Sequence, residues 1–236
     1  MKTRKDLLCM IALVAFSAFM VSCSSDDEYS EEITESNVKV RNFTVGVEDF
    51  KMIKVEKGSF KYNEQEYMIS KDFYIGQTEV TQGLWIAVMG DIPKQYKYGS
   101  KKPVDQVSYD QVLDFILKLN KLTGAKFRLP TVNEWRFAAI GGNLSETGEP
   151  KWGQQYVNIR FWNGKECNQT KYNNVGELLP NELGLYDMIG NVAEMCIDDS
   201  VMKNYRILGY SRESCVPIDD PLDDWYDNCI GFRLAI

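Results

Sequence analysis

Arg128-Leu129-Pro130-Thr131-Val132-Asn133-Glu134-Trp135-Arg136-Phe137-Ala138-Ala139 and Gly184-Leu185-Tyr186-Asp187-Met188-Ile189-Gly190-Asn191-Val192-Ala193-Glu194-Met195 are the two stretches that decide how this chain folds. In the first, Thr131 caps a helix and Glu134, three residues on, completes a capping box. Trp135, Ala138 and Ala139 then face the core. In the second, a glycine turn carrying acids runs into an extended segment, Val192 to Ile197.

Working outward, Phe50 to Val55 alternates partly and predicts a strand, and Gly58-Ser59 marks a turn. Glu66 to Ile69 and Asp72 to Ile75 predict two further short strands. Thr81 caps a helix through Gln82 to Met89, closed by Gly90. Ser108 with Gln111 forms a second capping box. The helix behind it places Val112, Phe115, Ile116, Leu119 and Leu122 at helical spacing, with Gly124 at its end. From Asn143 to Asn181 periodicity is lost, and a long irregular segment inside a domain points to a functional or metal-bound reason for it. The chain closes on Ile230-Gly231-Phe232-Arg233-Leu234-Ala235.

Composition narrows the chemistry. The 236 residues suffice for one sizeable domain. There is no histidine, which removes Ser-His-Asp and Cys-His catalysis and any His-ligated zinc or haem. A formal net charge of −7 argues against nucleic acid as a partner, because that binding needs basic surface.

Residues 1–22 read as a lipoprotein signal peptide. Lys2, Arg4 and Lys5 form a positive start, and Leu7 to Val21 an apolar run shorter than the roughly 20 residues of a bilayer span. It ends at Met20-Val21-Ser22-Cys23, a lipobox-like sequence with Cys23 as the lipid attachment site. Each buried methylene of an acyl chain contributes about 0.8 kcal/mol, so more than one chain makes anchoring stable. Residues 23–40 are acidic and read as a disordered tether. The acidic run resembles the export tag that follows the lipid cysteine in some outer-membrane lipoproteins, which predicts an outer-membrane, cell-surface-exposed protein. Residues 41–236 then form the domain. Cys167, Cys196, Cys215 and Cys229 remain for an oxidising compartment, with three possible pairings and no means in the sequence of choosing.

The motifs, in order, resemble the formylglycine-generating enzyme family, or sulfatase-modifying-factor domain. They are Glu79-Val80-Thr81, Lys102-Pro103-Val104, Val107-Ser108, the Arg128 and Gly184 stretches, Ala138-Ala139 with Gly141-Gly142, Pro180-Asn181 and Gly231-Phe232-Arg233. The resemblance runs from about residue 50 to the C-terminus. It implies an α+β, C-type-lectin-like fold with few helices, short strands and much ordered loop. In this scaffold Glu134 is read as a cap, Trp135 as core, and Arg128 and Arg233 as buried partners of carboxylates or carbonyls.

The resemblance also implies calcium, held by the Asp187 side chain, the Gly190 and Val192 carbonyls and the Glu194 carboxylate, a hard-oxygen set suited to that ion. A second calcium site of the family could start at Asn158-Ile159, but the spacing beyond diverges here. Active members carry two cysteine thiolates that bind copper, as soft ligands do for Cu(I). In the matching segment, Gly209 to Asp219, those positions are Ser214 and Asp219, and Cys215 is one residue late. Copper is therefore not expected and no catalytic residue is assigned. Ala193 and Met195 replace tryptophans usual in the family, which is expected to reshape the surface near the calcium motif.

The sequence thus predicts a non-catalytic binding or structural module, a pseudoenzyme, held at the membrane by a lipid anchor and offering loops to an envelope or surface protein or a glycan. One alternative is a copper- and oxygen-dependent oxidase using Cys215 and a second cysteine. Another is a diversified ligand-binding surface formed by Tyr205, Tyr210, Asp219, Asp220, Asp223, Asp224, Trp225 and Tyr226.

Overall fold

The computed structural model describes residues 30–33, 38–92, 99–151, 155–156, 173–198, 205–209, 218–220 and 229–236, with residues 218–220 through their backbone. Among them the first six strands are Ser30–Ile33 (β1), Lys39–Val45 (β2), Glu48–Val55 (β3), Gly58–Tyr62 (β4), Gln65–Ile69 (β5) and Phe73–Gly76 (β6). Four of these make an antiparallel sheet of order β1-β2-β3-β6, while β4 and β5 form a separate hairpin. Later in the chain come Ala193–Ile197 (β7), Tyr205–Gly209 (β8), Ile218–Asp220 (β9) and Ile230–Gly231 (β10). They make a second sheet of order β10-β7-β8-β9, in which the β10–β7 pair is parallel and the rest antiparallel.

The helices follow their caps. Helix α1 is Gln82–Met89, with the Thr81 hydroxyl accepting from the Leu84 amide at 3.1 Å. Helix α2 is Tyr109–Thr123, opened by the Ser108–Gln111 capping box and ended by left-handed Gly124. Helix α3 is Val132–Ala139, with the Thr131–Glu134 box in place. Val112, Phe115, Ile116 and Leu119 of α2 are buried, while Leu122, in the last turn, is exposed.

Two hydrophobic clusters make the core. The first gathers Trp85, Phe115 and Phe232, the Trp85 and Phe115 rings stacked at 5.1 Å with Phe232 edge-on to both. The second gathers Ile53, Val55 and Ile75 with Trp135 and Phe137 of α3. The C-terminal segment sews the pieces together. The Gly76 amide donates to the Leu234 carbonyl, Val80 to Phe232 and Tyr74 to Ile236, while Ala235 exchanges hydrogen bonds with Arg128.

Two expectations fail here. The acidic stretch expected to be a disordered tether through residue 40 contributes strand β1, and Val38 and Val40 are buried core. The physical reason is that Glu31 and Glu32 find cations: Glu31 meets Lys39 and Arg41, and Glu32 meets Lys51. Gly58-Ser59 is not a turn but the start of β4. The turn lies at Asn63 and Glu64, both at positive φ. Gly58 is needed for close approach instead, because a Cβ there would stand 2.1 Å from Asn143 Oδ1 and 2.8 Å from Phe137 Cζ. Phe137 cannot yield freely, since it stacks on Phe60 at 5.7 Å.

The Gly58→Ala substitution is therefore expected to destabilise the fold by about 1–3 kcal/mol, the range for overpacking a filled site. Urea unfolding should show a lower midpoint with an unchanged slope.

Candidate functional site

Arg233 and Glu194 meet because the parallel β10–β7 pair sets Gly231 against Glu194, and Arg233 follows two residues later. Gly231 permits the approach: a Cβ there would sit 2.4 Å from the Val104 carbonyl oxygen. The pair is fully buried, with side-chain exposures of 0 % and 1 %. Arg233 Nε donates to Glu194 Oε2 at 2.6 Å and Nη2 to Oε1 at 2.6 Å. Trp135 Nε1 adds a third donor to Oε2 at 2.8 Å. Arg233 Nη1 also donates to the Gly76 carbonyl and Nη2 to the Tyr186 carbonyl, each at 3.1 Å. A two-pronged pair backed by further hydrogen bonds is the form in which a buried charge is tolerated. Burial opposes the Arg233 charge, but Glu194 overcomes this and holds its pKa above the usual value.

The sequence expectations for this region divide. Arg233 is the expected buried partner of a carboxylate and of carbonyls. Arg128 is a carboxylate partner but not a buried one: its side chain is 37 % exposed, and it grips Glu134 through two hydrogen bonds of 2.6 and 2.7 Å, while Glu134 also serves the cap. Trp135 is core with a hydrogen-bonding role besides. Ala193 and Met195 are 0 % and 4 % exposed, so the missing tryptophan rings alter the interior and not the surface, contrary to expectation. Cys196 is a free thiol, fully buried, directed at the Glu194 carbonyl, and burial pushes its pKa well up. This removes it from the possible disulfides. Cys229 is buried beside Val192.

Around the ion pair lies an acidic interior. Asp187 is 2 % exposed and its Oδ2 accepts from the Gly176 amide at 2.7 Å. Asp187, Gly190 and Asn191 all have positive φ (53°, 96° and 61°), a strained turn that the surroundings must hold in place. Glu79 is the member that sequence reading missed. It is 2 % exposed, and neither carboxylate oxygen has a hydrogen-bond partner among the described residues. Burial, then the Asp187 charge and that of Glu194, push its pKa well above the ordinary range, against the opposing pull of Arg233. The Asn191 side-chain amide nitrogen is likewise buried without a partner among the described residues. Glu79 stands far from Glu194 in sequence, so no spacing signal joins them.

A buried carboxylate beside two others is an arrangement whose desolvation cost a bound cation would relieve. Among the described residues no three His, Cys, Asp or Glu side chains form a ready-made metal cluster, and Glu194 is committed to Arg233 and Trp135. A hard cation at this place would draw on Glu79, Asp187 and main-chain carbonyls, with Glu194 as a shared member. The residues fit calcium, which accepts a mixed shell of carboxylates, carbonyls and water.

Of the positions matching the family's copper thiolates, Ser214 lies outside the described residues, as do Cys215, Cys167, Cys23 and Asn158-Ile159. Asp219 stands in β9, opposite Leu208. Strand β8 ends at Gly209, whose φ is 84° and where a Cβ would lie 3.3 Å from the Trp135 ring. Of the aromatic and acidic surface expected toward the C-terminus, Tyr205 stacks on Tyr109 with centroids 4.4 Å apart. Tyr210 and residues 223–226 lie outside the described residues.

Comparison with known proteins agrees with this architecture. The model of the sulfatase-modifying factor enzyme 1-like domain matches residues 39–216. "Chaperone protein LppX" of Paenibacillus barcinonensis is 32% identical over 197 residues, covering 61% of this chain and 70% of that protein. The fold is also that of Treponema denticola variable protein 1 (TM-score 0.64, 24% identity, 83% of this chain and 98% of the other). PvdO from Pseudomonas aeruginosa shares it too (TM-score 0.60, 19% identity, 82% and 97% coverage).

Removing the cation from the buried pair should cost far more than a surface charge would. Arg233→Met is expected to lose about 3–5 kcal/mol, the penalty for stranding a buried carboxylate. Chemical denaturation monitored by tryptophan fluorescence measures it, and Arg233→Lys should fail to restore the two-pronged contact.

Proposed function

The chain belongs to the sulfatase-modifying factor enzyme 1-like family, and we propose that this member is a non-catalytic binding module of the cell envelope, anchored through lipid on Cys23 and displayed at the outer surface. The observation that carries the reading is the residue pair Ser214 and Asp219 at the two positions where active members carry thiolates. A serine hydroxyl is a poor ligand for Cu(I), and an aspartate carboxylate is a hard one. The relative named as a chaperone adds the partner class: a polypeptide of the envelope rather than a small molecule.

In this reading the interior is a staple rather than a reaction centre. Calcium, when bound, would be held by Glu79, Asp187 and the carbonyls of Gly190 and Val192, with Glu194 shared, and would supply positive charge among these acids. Glu194 and Arg233 hold the Gly190 turn against β10. The loops this fixes are the binding surface. No proton or electron moves in the process.

Two measurements test the proposal. The purified lipid-free chain should neither take up Cu(I) nor convert the cysteine of a sulfatase peptide. Turnover of that peptide would replace the reading with an oxidase built around Cys215. Its presence during heating of an aggregation-prone envelope protein should reduce light scattering in proportion to its amount, and no protection would remove the chaperone-like role.

The calcium staple has its own test. Saturating calcium at 100 times its Kd stabilises a protein by about 2.7 kcal/mol, so the melting temperature should rise on addition and fall with chelator. Glu79→Gln removes an uncompensated buried carboxylate. It is expected to melt at or above the wild-type apo protein while losing the calcium response. A wild-type melt indifferent to both calcium and chelator would dismiss the staple.

A further inference from the structure

Strand β1 lies on the outer edge of β2, in antiparallel register from Ser30 opposite Asn42 to Ile33 opposite Lys39. All four of its residues are exposed, so it adds nothing to the core. Its hold is a backbone ladder and a set of charge contacts read from both faces of the sheet. On one face Glu31 Oε1 accepts from the Tyr74 hydroxyl at 2.6 Å and from Arg41 Nε at 3.3 Å, with Lys39 3.7 Å from Oε2. Arg41 is itself fixed over the Tyr74 ring at 3.9 Å. On the other face Glu32 accepts from Lys51 at 2.8 Å. Four donors from three strands thus await two successive carboxylates on an extended backbone.

Such an edge is a template for strand addition, and its present occupant is weakly bound. Exposed ion pairs contribute little to stability, and none of the strand's own side chains is buried. The geometry points to the outer edge of β2 as a docking site for an acidic extended segment of a partner protein, with Ser30–Ile33 as an exchangeable resident. The inference rests on the reading of this protein as a polypeptide-binding module, and it names the chemistry of the partner: two adjacent acids flanked by residues that extend. Charge complementarity selects the segment, and main-chain hydrogen bonds supply the rest. The resident competes from a local concentration in the millimolar range, so a partner strand gains access when the resident is loosened.

The test uses the lipid-free chain and a labelled peptide of the sequence Asp26 to Ile33 as probe. In Glu31→Lys/Glu32→Lys, both exposed changes, the resident is repelled and the edge freed. Peptide binding measured by anisotropy should be at least about tenfold tighter than to wild type. NaCl raised to about 0.5 M should weaken it, as should adding Lys51→Ala, while circular dichroism stays native. A peptide with Glu31 and Glu32 replaced by glutamine should not bind. Equal binding to wild type and variant, or binding indifferent to Lys51, would overturn the assignment. So would concentration-dependent dimerisation of wild type that the peptide reverses, which would seat a second copy on the edge. Aggregation protection that persists when the peptide fails to bind would leave the chaperone-like reading intact and sink this inference alone.

Discussion

The constraint on which the domain depends is the burial of one guanidinium among carboxylates. Arg233 is fully enclosed, and all three of its nitrogens donate to oxygens of Glu194, Gly76 or Tyr186. Each of these oxygens belongs to a different part of the fold: β7, the end of β6, and the loop before the Gly190 turn. An ion in a medium of low dielectric has no tolerance for a missing partner. The pair therefore fixes the relation of the two sheets more tightly than apolar contacts, which can slide, would do.

From that pair outward, the same elements serve several ends. Trp135 donates to Glu194, fills the second core cluster and lies against Gly209. Helix α3 is tied at its start to β7 through the hydrogen bond from the Ile197 amide to the Pro130 carbonyl. Near its C-terminal end, Asn181 donates to the Ala138 carbonyl and accepts from the Leu183 and Leu185 amides. An irregular chain is thus held by side-chain hydrogen bonds where a sheet would use its ladder. This is how a family scaffold with few helices keeps its loops ordered.

Legibility in the sequence followed the range of the physics. The three helices were readable because a cap is an arrangement among neighbours: Thr81, Ser108 and Thr131 announce themselves within four residues. Strands β3, β5 and β6 were readable from local patterning. Gly58 was misread because glycine answers to two needs, a turn or a close approach, and only the position of Asn143 and Phe137 decides between them. Strand β1 was hidden because an acidic run looks like a solvated tether until Arg41, Lys51 and Tyr74 are brought beside it. Glu79 was invisible as a site residue for a similar reason: its neighbours Asp187 and Glu194 are far along the chain. The burial of Ala193 and Met195 could not be inferred locally, because strand β7 is covered by elements far along the chain.

The separation between Glu194 and Arg233 is 39 residues, and that order carries a consequence for biogenesis. As the polypeptide is made, the acids Glu79, Asp187 and Glu194 all emerge before the guanidinium that neutralises their interior. Until that late segment arrives, collapse around them is penalised and the nascent protein is kept from locking prematurely. A precursor that cannot close early stays open along its length until that segment joins it.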